Sequence, residues 1–180
     1  LREDLVELVG YSKQFTTGVI TNGTLLSSEL ADKLCDVHLD WIQITLESAS
    51  AAIHDEIQGR KGAWDETVAG IKNAVAAGLS VSVNVTLSKK NAHELKKLID
   101  FAGKLHVRYV STNAIINAGR GIAEKEESGL EEQMLQTILE EAKSYVKSRD
   151  ISFNWFLPTC YKNVNPVTLG FGQRCCSACS

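Results

Sequence analysis

Asp40–Arg60, DWIQITLESASAAIHDEIQGR, is the stretch whose reading decides the fold. It opens as a strand with two chemically different faces. Side chains alternate along a strand, so Ile42, Ile44 and Leu46 point one way and Gln43, Thr45 and Glu47 the other. The apolar face calls for a helix packed on it. The polar face ends in the carboxylate of Glu47, just before the chain turns. Ligands of α/β sheets and barrels bind at that end of the strands.

Downstream the pattern repeats. Trp64, Val68, Ile71 and Val75 form one helical stripe, ended by Gly78 as the residue after the C-cap. Leu79–Ser88 then shows the cleanest alternation in the chain: Leu79, Val81, Val83, Val85 and Leu87 against Ser80, Ser82, Asn84, Thr86 and Ser88. Asn91-Ala-His-Glu94 resembles a capping box opening a helix through Leu95, Leu98, Ile99, Ala102 and Leu105. Tyr109–Asn117 reads as a strand, Ser128–Val146 contains the longest helix, and Ile151–Leu157 reads as the last strand. Upstream, Leu1–Phe15 is a helix, Thr17–Gly23 a short strand stopped by Asn22-Gly23, and Glu29–Cys35 a short helix.

Strands alternating with helices imply right-handed βαβ units and a parallel sheet. At least three strands keep one face polar: Gln43/Thr45/Glu47, Ser80/Ser82/Asn84/Thr86 and Ser152/Asn154. With helices on the apolar faces, the polar faces look into an interior that cannot be a dry core. Burying so many unpaired hydroxyls and amides would cost roughly 1–3 kcal/mol each. An open, partial TIM-like (βα) barrel of α/β class, with a polar cleft filled by water or a large polar ligand, meets that requirement. The alternative is an antiparallel sheet with one solvated face, which the intervening helices disfavour. No linker is visible before about Pro158, so the chain divides into a barrel part, 1–157, and a cysteine-rich tail, 158–180.

Bulk properties narrow the function. The chain has 180 residues, 44% hydrophobic and 23% charged, with a net charge of −3. No basic stripe suits nucleic acid or an anionic membrane. No apolar run is long enough to span a bilayer, and no signal peptide is visible, which suits a cytoplasmic protein. Of the five cysteines, Cys175, Cys176 and Cys179 crowd the last six residues. Clustered cysteines inside cells point to metal or redox work rather than structural disulfides. Cys176-x-x-Cys179 has metal-ligand spacing but supplies two ligands where a site normally needs four.

An ordered series of motifs resembles the radical S-adenosylmethionine superfamily. The series runs Val19-Ile-Thr-Asn-Gly-Thr-Leu-Leu26, Ile44-Thr-Leu-Glu47-Ser, His54-Asp-Glu-Ile, Gly59-Arg60, Lys61-Gly-Ala-Trp-Asp, Ala77-Gly78, Val83-Asn-Val-Thr-Leu, Asn91 and Ala118-Gly-Arg-Gly121. The tail, Leu169-Gly-Phe-Gly-Gln-Arg-Cys-Cys-Ser-Ala-Cys179, is similar to the start of a SPASM-type extension, whose cysteines hold auxiliary iron–sulfur clusters. Relatives in that subgroup include peptide-modifying maturases and the molybdenum-cofactor cyclase.

The resemblance implies a six-strand partial barrel. It also implies a [4Fe–4S] cluster that reductively cleaves S-adenosylmethionine, a 5′-deoxyadenosyl radical that abstracts hydrogen from a peptide, protein or small-molecule substrate, and an electron donor such as a flavodoxin or ferredoxin. The family's CxxxCxxC loop and glycine-rich GGEP-like segment are absent from this sequence. The cluster ligands are therefore expected outside this chain. The chain reads as a fragment that starts at the helix after the family's second strand and is inactive by itself, with an open sheet edge that can pair with another chain.

Residue by residue, the resemblance places Thr21, Asn22 and Gly23 near the methionine part of the cofactor, although Asn-Gly is also a plain turn former. Thr45 and Glu47 stand where the family uses a hydroxyl and a carboxylate, suited to ribose hydroxyls or an ammonium group. Arg60 either clamps the cofactor carboxylate, pairs with Glu47 or is solvated. Asn84 and Thr86 are cofactor contacts on the polar face, and Asn113 and Ile115 lie where the family supports the adenine. Cys175, Cys176 and Cys179 are ligands of an auxiliary cluster. His54 caps or packs, and Trp64 and Trp155 belong to the core. Two other classes remain open: a different (βα) barrel enzyme of isomerase or aldolase type, and a zinc or redox module built on the CCSACS tail.

Overall fold

The computed structural model describes residues 2–115 and 128–155. The elements run α1 (Leu5–Tyr11), β1 (Gly18–Thr21), α2 (Ser28–Asp36), β2 (Trp41–Thr45), α3 (Ala51–Gln58), α4 (Ala63–Ala76) and β3 (Val81–Leu87). A 3-10 turn at Ala92–Glu94 leads into α5 (Leu95–Lys104), followed by β4 (Tyr109–Ala114), α6 (Glu132–Val146) and β5 (Ser152–Trp155). The strands form one sheet in the order β1-β2-β3-β4-β5, and all four pairings are parallel. The antiparallel alternative is thereby excluded. Among the described residues β1 and β5 each pair on one side only, so the sheet is open.

Register explains why the sequence alternates as it does. Thr21, Ile44, Val83, Val110 and Phe153 share one row, and Val85, Thr112 and Trp155 the next. Ile44, Val83, Val110 and Val85 are almost wholly buried, together with Ile71 of α4, Leu98 and Ile99 of α5, and Leu135 and Leu139 of α6. Each such aliphatic side chain contributes roughly 1.5–3 kcal/mol on burial, which holds the helices to this face. A buried hydroxyl on this face, Thr112, donates to the Val85 carbonyl at 3.0 Å.

Between β2 and β3 the sequence pattern shows one helix, and the structure has two. The extra one, α3, is a single short helix ended by Gly59 in the left-handed conformation, φ 67°. The Asp55 carboxylate accepts from Gly62 N–H at 2.6 Å and Trp64 N–H at 2.8 Å, joining α3 to the start of α4. Trp64 packs as expected of a core residue: its indole stacks on Phe101 at 5.5 Å and donates to the Ser48 carbonyl at 3.2 Å.

The turn after β1 is seated on α4. Gly23 has φ 75°, and a side chain there would collide with Ile44. Gly70 of α4 lies so close to the Gly23 carbonyl that a Cβ on it would overlap that oxygen. Thr67 donates to the Asn22 carbonyl at 2.9 Å and Asn73 to the Leu26 carbonyl at 2.8 Å. Glycine at both positions is thus a condition of the close approach.

Candidate functional site

The opposite face of the sheet is polar across four strands. Thr45, Asn84, Ser111 and Asn154 are in register, as are Thr86 and Asn113 one step further toward the C-terminal ends. Asn84 and Ser111 are buried, Thr45, Thr86 and Asn113 half-buried, and Asn154 exposed. Ser111 Oγ donates to Asn84 Oδ1 at 2.9 Å, one of the cross-strand bonds that make this face tolerable. Asn113 Oδ1 is buried and has no donor among the described residues. The row therefore offers hydroxyls, amides and at least one unused acceptor.

Glu47 closes the row from the end of β2. It is 6% exposed. Burial pushes its carboxyl up to about 7, opposed by the Thr86 N–H, which donates to Oε2 at 3.0 Å and favours the anion. A carboxyl poised near neutrality can accept hydrogen bonds or, when protonated, donate one.

His54, expected to cap or pack, is packed, and Asn91, expected to cap a helix, is used elsewhere. His54 lies within α3, is 1% exposed, and accepts the Glu47 N–H at Nδ1, 3.1 Å away. Burial lowers its pKa, which keeps it neutral. Asn91 makes no helix-capping bond; its Nδ2 donates to the Glu47 carbonyl at 2.9 Å and the Thr86 carbonyl at 3.0 Å.

The remaining candidates are placed as follows. Thr21 is in register with Ile44, on the helix-covered face, and its hydroxyl accepts from Gly23 N–H at 3.1 Å. Asn22 Oδ1 accepts from Thr24 N–H and Oγ1 in an Asx turn. Arg60 is exposed and makes a bidentate pair with Glu66, at 2.9 and 2.6 Å, rather than with Glu47. Ile115 follows β4 and is half-buried. Cys175, Cys176 and Cys179, with the whole tail 158–180, lie outside the described residues. Ser111 was legible but unassigned: it sits two residues before Asn113 on the same face of an alternating strand.

The polar row and the Glu47 carboxyl lie at the C-terminal ends of parallel strands, the end at which α/β barrels place their ligands. Comparison with known proteins gives the family. The sequence pattern of the Radical SAM superfamily matches residues 1–102, and the chain belongs to that superfamily. Membership implies S-adenosylmethionine and a 4Fe–4S cluster. Fe-coproporphyrin III synthase of Methanosarcina barkeri is 30% identical over 148 residues, 79% of this chain and 37% of that protein. PqqA peptide cyclase of Methylocella silvestris is 32% identical over 126 residues, 69% of this chain and 34% of that protein. Among solved structures, Streptococcus suis SuiB bound to S-adenosylmethionine has a TM-score of 0.70 at 16% identity, covering 88% of this chain and 35% of SuiB. A domain of pyruvate-formate lyase-activating enzyme from Bacteroides vulgatus has a TM-score of 0.63 at 12% identity, over 86% of this chain and 91% of that domain. The structural likenesses show a shared fold. The chain spans about a third of the length of the curated relatives it matches.

The two implied groups fare differently against the residues present. The polar row, with its unused Asn113 acceptor and the Glu47 carboxyl, suits the amine and hydroxyl groups of S-adenosylmethionine. No three His, Cys, Asp or Glu side chains among the described residues are grouped to hold a metal, and the one free cysteine recorded there is half-buried Cys35. The described residues do not fit an iron–sulfur cluster. Among them no helix is long and apolar enough to cross a membrane.

Proposed function

We propose that this chain supplies the cofactor-holding sheet of a radical S-adenosylmethionine enzyme that abstracts hydrogen from a substrate in peptide modification or cofactor synthesis, the work named for its relatives. The observation that carries the reading is the in-register polar row Thr45–Asn84–Ser111–Asn154, flanked by Glu47, Thr86 and Asn113. When bound, S-adenosylmethionine supplies the 5′-deoxyadenosyl group as the hydrogen-abstracting radical.

The chain's own residues bind and orient. Thr45 and Glu47 take ribose hydroxyls or the ammonium group, because a hydroxyl beside a carboxyl offers both donor and acceptor. Asn84 and Thr86 line the same face, and Asn113 and Ile115 support the base, with Asn113 Oδ1 open to an amine donor. Thr21, Asn22 and Gly23 form the turn toward the methionine end through their main chain, since Thr21 Oγ1 and the Asn22 side chain are used within the turn. Arg60 takes the cofactor carboxylate by exchanging Glu66 for it.

Residues 1–157 form the barrel part, and 158–180, with Cys175, Cys176 and Cys179, begin a segment for an auxiliary cluster. The radical-generating cluster takes its ligands from outside this chain, and the chain alone is inactive. A flavodoxin- or ferredoxin-type donor supplies the electron.

The test is made in the whole protein that carries this chain, reconstituted anaerobically with iron and sulfide. Glu47→Ala and Asn84→Ala each weaken S-adenosylmethionine binding by roughly tenfold, as expected for losing one well-formed contact. Unchanged affinity in both variants, measured by calorimetry on folded protein, overturns the reading.

A further inference from the structure

We infer that His54 and Asn91 are positioning residues that set where the Glu47 carboxyl stands in the polar row. This rests on the reading of Glu47 as part of the S-adenosylmethionine site. Strand pairing between β2 and β3 extends to Leu46, whose N–H donates to the Asn84 carbonyl at 2.9 Å. At Glu47 side chains take over: His54 Nδ1 accepts its N–H at 3.1 Å, and Asn91 Nδ2 donates to its carbonyl at 2.9 Å. The two come from different elements, α3 and the loop after β3.

The Asn91 amide also reaches the Thr86 carbonyl at 3.0 Å, while the Thr86 N–H donates to the Glu47 carboxylate. A closed circuit results, from the Glu47 carbonyl through Asn91 and Thr86 back to the Glu47 side chain. Asn91 Oδ1 is fixed from the other direction by Ser88 N–H at 2.8 Å and Ser88 Oγ at 3.2 Å. Both positioning side chains are 1% exposed. Burial of these two side chains limits competition from water at His54 and Asn91, which leaves the circuit little freedom to rearrange.

His54 adds a second observation. An imidazole accepting at Nδ1 in its neutral form carries its proton on Nε2. That Nε2 is buried and has no partner among the described residues. An unsatisfied buried N–H is a cost that an apolar side chain of similar size would avoid. Packing alone therefore does not account for a histidine here, whereas an acceptor aimed at the Glu47 N–H does.

A double-mutant cycle tests the inference, read as the S-adenosylmethionine dissociation constant of the whole reconstituted protein. In the unsubstituted background Asn91→Ala and His54→Leu each weaken binding by about tenfold; in a Glu47→Ala background each weakens it by less than about twofold, because residues acting through one group are not additive. His54→Asn, which keeps an acceptor near the Nδ1 position, restores most of the affinity. Equal losses in both backgrounds overturn the inference, since they mean that the substitutions act on the fold and not through Glu47. If Glu47→Ala leaves affinity unchanged in folded protein, the site reading itself fails, and that outcome is separate from the first.

Should Asn91→Ala or His54→Leu not fold, Asn91→Asp enters the same cycle: it keeps acceptors for Ser88 and removes both amide donors. Nitrogen NMR of the unsubstituted protein gives a readout free of any variant. It is expected to show His54 as the Nε2–H tautomer at neutral pH, and an Nδ1–H tautomer overturns the inference.

Discussion

The two faces of the sheet are built from the same strands and are stabilised in different ways. On the helix side, Ile44, Val83 and Val110 belong to one hydrophobic cluster with the aliphatic residues of the helices. On the other side, Asn84 and Ser111 are also buried, yet they are held by each other and by a main-chain carbonyl. Burial on the first face is the driving force for folding. On the second it is a cost that hydrogen bonds offset, and it leaves acceptors such as Asn113 Oδ1 unused. The first face should therefore govern stability and the second binding.

The largest effect should come from the helix side. Ile44 is fully buried and in register with Thr21 and Val83. Ile44→Ala should lower unfolding free energy by about 2–5 kcal/mol, the range for a cavity of that kind. Thr45→Ala, one residue away on the half-buried polar side, should cost under about 1 kcal/mol. Urea denaturation of the two variants measures the contrast; equal losses would show that the faces share the structural burden.

Glu47 gives the next effect, and its sign is fixed by linkage. The folded protein holds this carboxyl at about 7 against an ordinary 4.5, because burial disfavours the anion. A raised carboxyl pKa means that the folded state binds the proton more tightly. The stability it contributes is complete below the ordinary value and is lost as pH rises through the folded one. The loss is on the order of 2–3 kcal/mol between pH 5 and 8. Glu47→Gln cannot ionise, so its stability relative to the parent protein should rise steadily between pH 5 and pH 8. His54 titrates in the opposite sense, its lowered pKa withdrawing stability as pH falls, but it does so in both proteins and cancels from the comparison. Parallel stability–pH curves for the two proteins would show that Glu47 is not desolvated.

Ser111→Ala should have a smaller effect on stability, about 1 kcal/mol, because it removes one neutral hydrogen bond and leaves Asn84 Oδ1 without its donor. Its effect on S-adenosylmethionine affinity should be proportionately larger than that of Ile44→Ala in folded protein. Calorimetric titration of both variants measures that crossing, which the division of labour between the faces requires.

Most of this contrast is legible in the sequence, because it is a property of alternation. Ile42/Gln43/Ile44/Thr45 and Val83/Asn84/Val85/Thr86 announce two faces by themselves, and βαβ connectivity makes the pairing parallel. Bonds that cross between elements are not announced. His54 and Glu47 are seven residues apart and Asn91 and Glu47 forty-four, and no periodicity encodes either contact. Asn91 carries the local look of a helix cap, so its local and long-range uses compete and the long-range one prevails. α3 escapes notice for a different reason: it is one short run of 8 residues, too brief for helical periodicity to mark it. Thr21 shows the limit of motif reading, since one step along a strand exchanges faces and register with Ile44 turns its side chain toward the helices.

The smallest effect, and the sharpest on ligand recognition, concerns Arg60. Its guanidinium is exposed and held by Glu66, so breaking that pair should leave stability nearly unchanged. Binding should respond instead. If Arg60 takes the carboxylate of S-adenosylmethionine, Glu66 competes with the ligand for the same fork of N–H donors. Glu66→Gln should then tighten S-adenosylmethionine binding by about two- to threefold, the scale of an exposed ion pair, and Arg60→Ala should weaken it. Neither change should alter the affinity of 5′-deoxyadenosine, which has no carboxylate. Titrating both variants with both ligands separates the outcomes: if Glu66→Gln leaves S-adenosylmethionine affinity where it was, Arg60 is part of the solvated surface and the carboxylate is held elsewhere.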